Sequence, residues 1–227
     1  MKFLSTLLSE ARGSINGATF SRNSSGAYIR SRVKPVNPNT PAQSAARALF
    51  ATLSAGYKSL SQSDILTWEA ARPNFPQQDK LGQTIELTAQ QLYMKFNRNL
   101  QATGSNVIDV APSPATVTTP SLGTVTVDNT QFSVAFTPDP LGANELLVIS
   151  ASRCVSAGVN FMGRSGMKQI LVEPGTTASP SDIFDEYNAI YGGGTLQAGS
   201  KVFVSLKIID RTTGISSDTI MDNYIVA

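Results

Sequence analysis

The side chains that carry most enzyme chemistry are scarce in this sequence. Its 227 residues include no His and one Cys, Cys154. That excludes Ser–His triads, His-ligated metals, the commonest proton shuttle near neutral pH, internal disulfides and Cys-based zinc sites. Carboxylate, Lys and phosphate-binding chemistry remain open. Asp182, Asp185 and Glu186 are close enough in sequence to act as paired acids. They fall in the first turns of a predicted helix, where they complement its dipole without any catalytic role. Gly192-Gly-Gly194 has the glycine density of a phosphate loop but lacks the Lys-Ser/Thr that follows one, so it reads as a helix end. Thr40-Pro-Ala-Gln43 could seat an anion at a helix N-terminus and reads first as a capping box. Asp210-Arg-Thr-Thr-Gly214 lacks the acids of a Ca²⁺ loop. Cys154 follows Arg153, a setting compatible with a reactive thiol, although a buried or edge-strand thiol is the simpler reading. These residues assign no catalytic, cofactor or metal site, and the protein is expected not to be an enzyme. An enzyme or sugar-binding module on a β-domain would have to use Phe161, Tyr187 and Tyr191 as exposed aromatics.

The cations are more informative. Residues 1–110 carry 12 basic and 6 acidic side chains, whereas residues 111–227 carry 6 and 10. No acid occurs between Glu10 and Asp64. Such asymmetry points to two units with different partners. Within the acid-free stretch, Ala18–Ser21 and Ala27–Val33 read as strands around the turn-forming Arg22-Asn-Ser-Ser-Gly26. In the second run Tyr28, Arg30, Arg32 and Lys34 share one parity, which places the cations on one strand face. Arg22, Tyr28, Arg30, Arg32 and Lys34 are therefore the candidate partner-docking residues. An acidic protein partner, a nucleic-acid backbone and a plain solvated face are the readings open to them.

Three helices are expected next. Thr40 caps a helix running to about Lys58, with Pro41 at its first position and Ala42, Ala46, Leu49, Phe50, Leu53 and Tyr57 on one face. Ser61 and Asp64 start a second, which Arg72-Pro73 ends. Asn74–Thr84 is a loop. Thr88-Ala-Gln-Gln91 opens a third helix with Leu92, Phe96 and Leu100 inward and Gly104 at its stop.

From Thr124 the pattern changes to short β-runs: Thr124–Val127, Gln131–Thr137, Glu145–Ser152, Met167–Val172, Lys201–Asp210 and Ile215–Val226. They suggest an antiparallel sandwich, interrupted by a helix that Ser179-Pro-Ser-Asp182 would cap. The composition of 15% charged residues, 17 Gly and 12 Pro suits such a turn-rich chain. The predicted class is α+β. Its parts are a basic extended arm or hairpin at 1–36, a small helical domain at 37–110, a stiff Pro-rich linker at 111–120 and a β-sandwich at 121–227. Met1–Leu8 is too short for a signal peptide and no run of ~20 apolar residues occurs, so synthesis in the cytoplasm and no membrane partner are expected.

The stretch Gly13-Ser-Ile-Asn-Gly17, Phe20-Ser-Arg-Asn23, Gly26-Ala-Tyr-Ile-Arg30, Pro35-Val-Asn-Pro38-Asn-Thr40-Pro-Ala-Gln43, Arg47 and Trp68-Glu-Ala-Ala71 resembles a family of tailed-bacteriophage and prophage proteins encoded among virion genes. Leu92-Tyr and Asn97-Arg-Asn-Leu100 fit the same family, so the resemblance covers about residues 12–104. The C-terminal part generically resembles immunoglobulin or fibronectin type III sandwiches. The resemblance implies a non-enzymatic structural protein of the virion. It would be capsid-, neck- or tail-associated and present as a symmetric homo-oligomer or in several copies. It would dock on other virion proteins through its basic arm and helices. The alternative is a nucleic-acid-binding protein that contacts the genome through the arm.

Overall fold

The computed structural model describes residues 12–23, 26–34, 36–78 and 84–227. Residues 1–11, two residues of the 22–26 turn, Pro35 and five residues of the 74–84 loop lie outside them. The fold is mixed α+β with antiparallel sheets. Contacts divide the chain into two compact units, Met1–Ala46 and Arg47–Ala227.

The first unit holds β1 (Gly13–Ile15), β2 (Ala18–Asn23) and β3 (Gly26–Ser31), paired in that order as a three-stranded antiparallel sheet. Asn16-Gly17 forms the two-residue turn between β1 and β2, with Ile15 opposite Ala18 and Asn16 at φ +50°. Asn suits the first turn position because its short polar side chain tolerates the positive φ found there. Residues 32–34 and 36–40, which precede α1 (Pro41–Ser59), are exposed. Thr40 Oγ1 accepts from Gln43 N at 3.3 Å and Gln43 Oε1 from Thr40 N at 3.4 Å, the reciprocal cap expected of the sequence.

In the second unit α2 (Gln62–Ala71) is capped by Ser61 and ends in a 3₁₀ turn at Arg72–Asn74. A two-residue ladder, β4 (Gln77–Gln78) with β5 (Thr84–Ile85), precedes α3 (Ala89–Ala102). α3 starts with the Thr88–Gln91 capping box, and Gly104 follows it at φ +71°. Leu53, Trp68, Leu92, Tyr93 and Phe96 bury a first core. Its rings interlock, with Tyr57–Tyr93 and Trp68–Tyr93 centroids each 5.4 Å apart and Phe75–Phe96 at 4.9 Å. Phe50, expected on the inner face, is 45% exposed. It lies at the margin of a stripe that Leu49, Leu53 and Tyr57 already fill.

The remaining elements are β6 (Ser121–Val127), β7 (Phe132–Thr137), β8 (Glu145–Ser152), β9 (Met167–Glu173), β10 (Ser181–Asp182), α4 (Phe184–Tyr191), β11 (Lys201–Asp210) and β12 (Ile220–Ile225). They form a three-stranded sheet, β10-β7-β6, and a four-stranded sheet, β12-β11-β8-β9. Phe132, Val134 and Phe136 from one sheet share a core with Leu147, Ile149, Val202, Val204, Leu206 and Ile208 from the other. Each such side chain contributes about 1.5–3 kcal/mol of burial. Period-2 alternation along β11 sends Val202, Val204, Leu206 and Ile208 inward. Phe203 and Ile209 on the opposite face are also buried, and only Lys207 and Asp210 of this strand are partly open.

Two expectations are corrected. Ser181–Asp182 is a strand pairing with Val134 and Ser133, so α4 begins at Phe184, four residues later than a Ser179 cap with Pro180 at the first helical position implied. Asp182 Oδ1 accepts from Phe184 N at 3.1 Å and serves as the helix-start acceptor instead. Second, residues 111–120 do not separate a helical domain from a sandwich. Ala111 N donates to Thr67 Oγ1 at 3.1 Å, and Val117 packs against both cores. Trp68 Nε1 donates to Asp109 O at 2.7 Å, and buried Asn97 holds Ile108 through both its carbonyl oxygen and its nitrogen. From the sandwich, Ile215 enters the helical core and Gly214 O accepts from Asn99 Nδ2 at 2.9 Å. Helices too small to close their own core are completed by the sheet unit. Proline stiffness here fixes a tie across both halves.

Candidate functional site

The sheet of the first unit carries the docking residues expected from the sequence. Pairing sets the faces, because opposed residues in an antiparallel ladder lie on the same side. Tyr28 stands opposite Ser21 and Arg30 opposite Thr19, while Ser14 opposes Thr19 from the other edge. Ser14 Oγ and Thr19 Oγ1 are 3.0 Å apart. Arg32 N still donates to Gly17 O at 2.7 Å, which carries the ladder one residue beyond β3. Ser14, Thr19, Arg30 and Arg32 line a groove of about 480 Å³. The side chains of Arg30 and Arg32 are exposed and Tyr28 is half-buried.

The five candidates do not form one cluster. Arg22 pairs with Ala27, one residue out of step with Tyr28, and so lies on the opposite face with Phe20 and Ile29. Lys34 follows the end of the strand and is exposed. Arg30 and Arg32 therefore make the groove, with Tyr28 on the same side. The opposite face holds Ile15, which is 69% exposed. Beyond the sheet Val33 and Val36 are 73% and 90% exposed. No residue among the described part of 12–46 belongs to the buried hydrophobic core.

The other motifs resolve into structural roles. Gly192, at φ +95°, ends α4. Asp185 and Glu186 occupy the first turn of α4. Tyr187 is fully buried, donates to Ser152 O at 3.1 Å, and has its phenol pushed well above its ordinary pKa, first by burial. Tyr191 donates to Ala151 O at 2.8 Å and stacks 4.9 Å from Tyr187. Neither tyrosine is an exposed sugar platform; of the three aromatics only Phe161 is exposed, at 78%. Among the described residues no group of three or more His, Cys, Asp or Glu is placed to hold a metal ion. Among them, too, no helix is long and apolar enough to cross a membrane.

A second basic cluster escapes sequence reasoning. Lys95 and Arg98 on α3 meet Lys207 of β11 around a cavity of about 400 Å³. Arg98 and Lys207 also line an adjoining cavity of about 310 Å³ with Arg164. Burial first, then the charges of Arg98, Lys95 and Arg164, lower the pKa of Lys207. The available signal is a Lys in the middle of a strand rich in apolar residues, since Lys207 interrupts the buried run of β11.

The chain matches no protein-family model, no curated protein and no solved structure.

Proposed function

We propose that this protein is a non-enzymatic structural component of a tailed-phage particle, docked on a neighbouring virion protein through the sheet of its first unit. The observation that carries this reading is the sheet without a core. Three short strands expose Arg30 and Arg32 on one side and Ile15 on the other, and none of their described residues enters a buried core. A sheet of that size is marginal alone and gains stability by covering its faces with a partner. A partner with acidic groups opposite Arg30 and Arg32 fits the groove, and an apolar ledge fits Ile15. The resemblance of residues 12–104 to virion-gene products supplies the setting. The second unit is the compact body presented by the docked sheet. Its sheets follow the sandwich expectation, with β9 joined to β8 where a constant-type immunoglobulin domain would put the fourth strand on the other sheet.

The test is incorporation. The Arg30→Glu/Arg32→Glu double variant should fold normally and be depleted at least tenfold from gradient-purified particles in a complementation assay. Particles that carry the double variant at the level of the parent chain would reject docking through this face.

A further inference from the structure

Beyond the docking sheet, the second unit holds a cationic groove in which Lys95 Nζ also lies 5.8 Å from the centroid of the Phe96 ring. Lys95 and Arg98 lie three residues apart on α3, Lys207 comes from β11, and Arg164 from the turn before β9. They line two adjoining cavities that share Arg98 and Lys207. No carboxylate lines either cavity among the described residues. α3 itself contains no Asp or Glu. The cations are thus gathered from three elements without a neutralising acid, and Lys95 and Lys207 are half-buried. Like charges held together disfavour their charged forms, so this arrangement costs stability unless an anion occupies it.

The wall of the larger cavity narrows the class of anion. Phe50, which is 45% exposed, stands there with Met94. Gln91 uses its carbonyl oxygen in the α3 cap, which leaves its NH₂ as a donor at the same wall. An exposed aromatic next to cations suits a nucleotide, because every base has a face to stack and every phosphate a charge to neutralise. An acidic peptide would match the cations and leave Phe50 unused.

We propose that the groove between α3 and the outer face of β11 binds a short single-stranded stretch of nucleic acid. Lys95, Arg98, Lys207 and Arg164 hold its phosphates, and Phe50 stacks on a base. This site is distinct from the first-unit sheet, so its failure leaves the docking reading intact.

Fluorescence anisotropy of the full chain with a labelled oligothymidylate tests it. Three to four phosphate contacts give a log K against log salt slope of about −2 to −3 for a single strand. Arg98→Glu/Arg164→Glu, at two exposed positions, should weaken binding at least tenfold. Phe50→Ala should weaken it about fivefold or more. Lys207→Met should weaken binding while raising Tm, whereas a merely structural lysine would lower Tm when replaced. Arg30→Glu/Arg32→Glu should bind like the parent. Unchanged affinity in Arg98→Glu/Arg164→Glu overturns the site. Polyglutamate that competes as well as the oligonucleotide, with Phe50→Ala neutral, overturns the nucleic-acid assignment in favour of an acidic chain.

Discussion

Gly214→Ala is the sharpest probe of how the second unit holds together. Gly214 sits at φ +72°, and a Cβ there would lie 2.5 Å from Phe96 O and 3.1 Å from Leu100 Cγ. Its own N–H donates to Asp210 O at 2.8 Å and its carbonyl accepts from Asn99, so the turn cannot withdraw without losing both bonds. Two costs add. A left-handed backbone costs a non-glycine residue about 1–2 kcal/mol, and overpacking against a helix backbone costs about 1–3 kcal/mol more. The expected destabilisation is therefore about 2–5 kcal/mol, or a fall in Tm of roughly 5–15 °C for a chain of this size. Gly199→Ala is the matched control. It has φ +76°, and nothing lies within 4 Å of where its new methyl group would stand. It should show the backbone cost alone, about 1–2 kcal/mol. Urea denaturation of both variants, followed by circular dichroism, measures the difference. Equal losses in the two would refute the close packing of α3 against the Gly214 turn, and with it the joining of helices and sheets in one unit.

Three other outcomes are expected. Tyr187→Phe strips the buried Ser152 carbonyl of its donor and should destabilise by about 1–2 kcal/mol in urea titrations. Trp68→Phe removes the hydrogen bond to Asp109 O and the ring contacts with Tyr93 and Phe96; a loss of about 2–4 kcal/mol is expected from the cavity and the orphaned carbonyl. Burial raises the pKa of Tyr57, Tyr93, Tyr187, Tyr191 and Tyr224 above the ordinary phenol value. A raised folded pKa gives stability that is complete below the unfolded pKa of about 10 and lost as pH climbs through the folded values. Lys95 and Lys207, with lowered values, act in the opposite sense, but the five phenols outnumber them. The urea midpoint should hold steady up to about pH 10 and then fall. A midpoint that rises with alkali would contradict the burial of these rings.

Local chemistry was legible in the sequence wherever one segment settles its own conformation. The two Thr-x-x-Gln caps stand where the residues place them, and Glu145–Ser152 and Lys201–Asp210 are strands with the bounds their patterns imply. What depended on distant partners was not legible. The side of the sheet that Arg22 occupies is fixed by Asn23 pairing with Gly26, a register that the parity of β3 alone does not contain. The Pro-rich segment reads as a linker until Val117 is seen against two cores. Ser179-Pro-Ser-Asp182 carries a helix-start pattern, yet Ser181 pairs with β7 and the strand wins. Lys95 and Arg98 of α3 are far from Arg164 and Lys207 in the chain and meet them only in the folded second unit. Charge counting along the sequence drew attention to the first unit and passed over them.

The docking proposed above covers the first-unit sheet when the chain joins a particle. Hydrogen–deuterium exchange mass spectrometry of the free full-length chain against the particle-bound chain tests it most directly. Docking through the sheet gives new protection concentrated in residues 12–34, with residues 121–227 little changed. Equal exchange at 12–34 in both states, with protection gained only in the second unit, would contradict it.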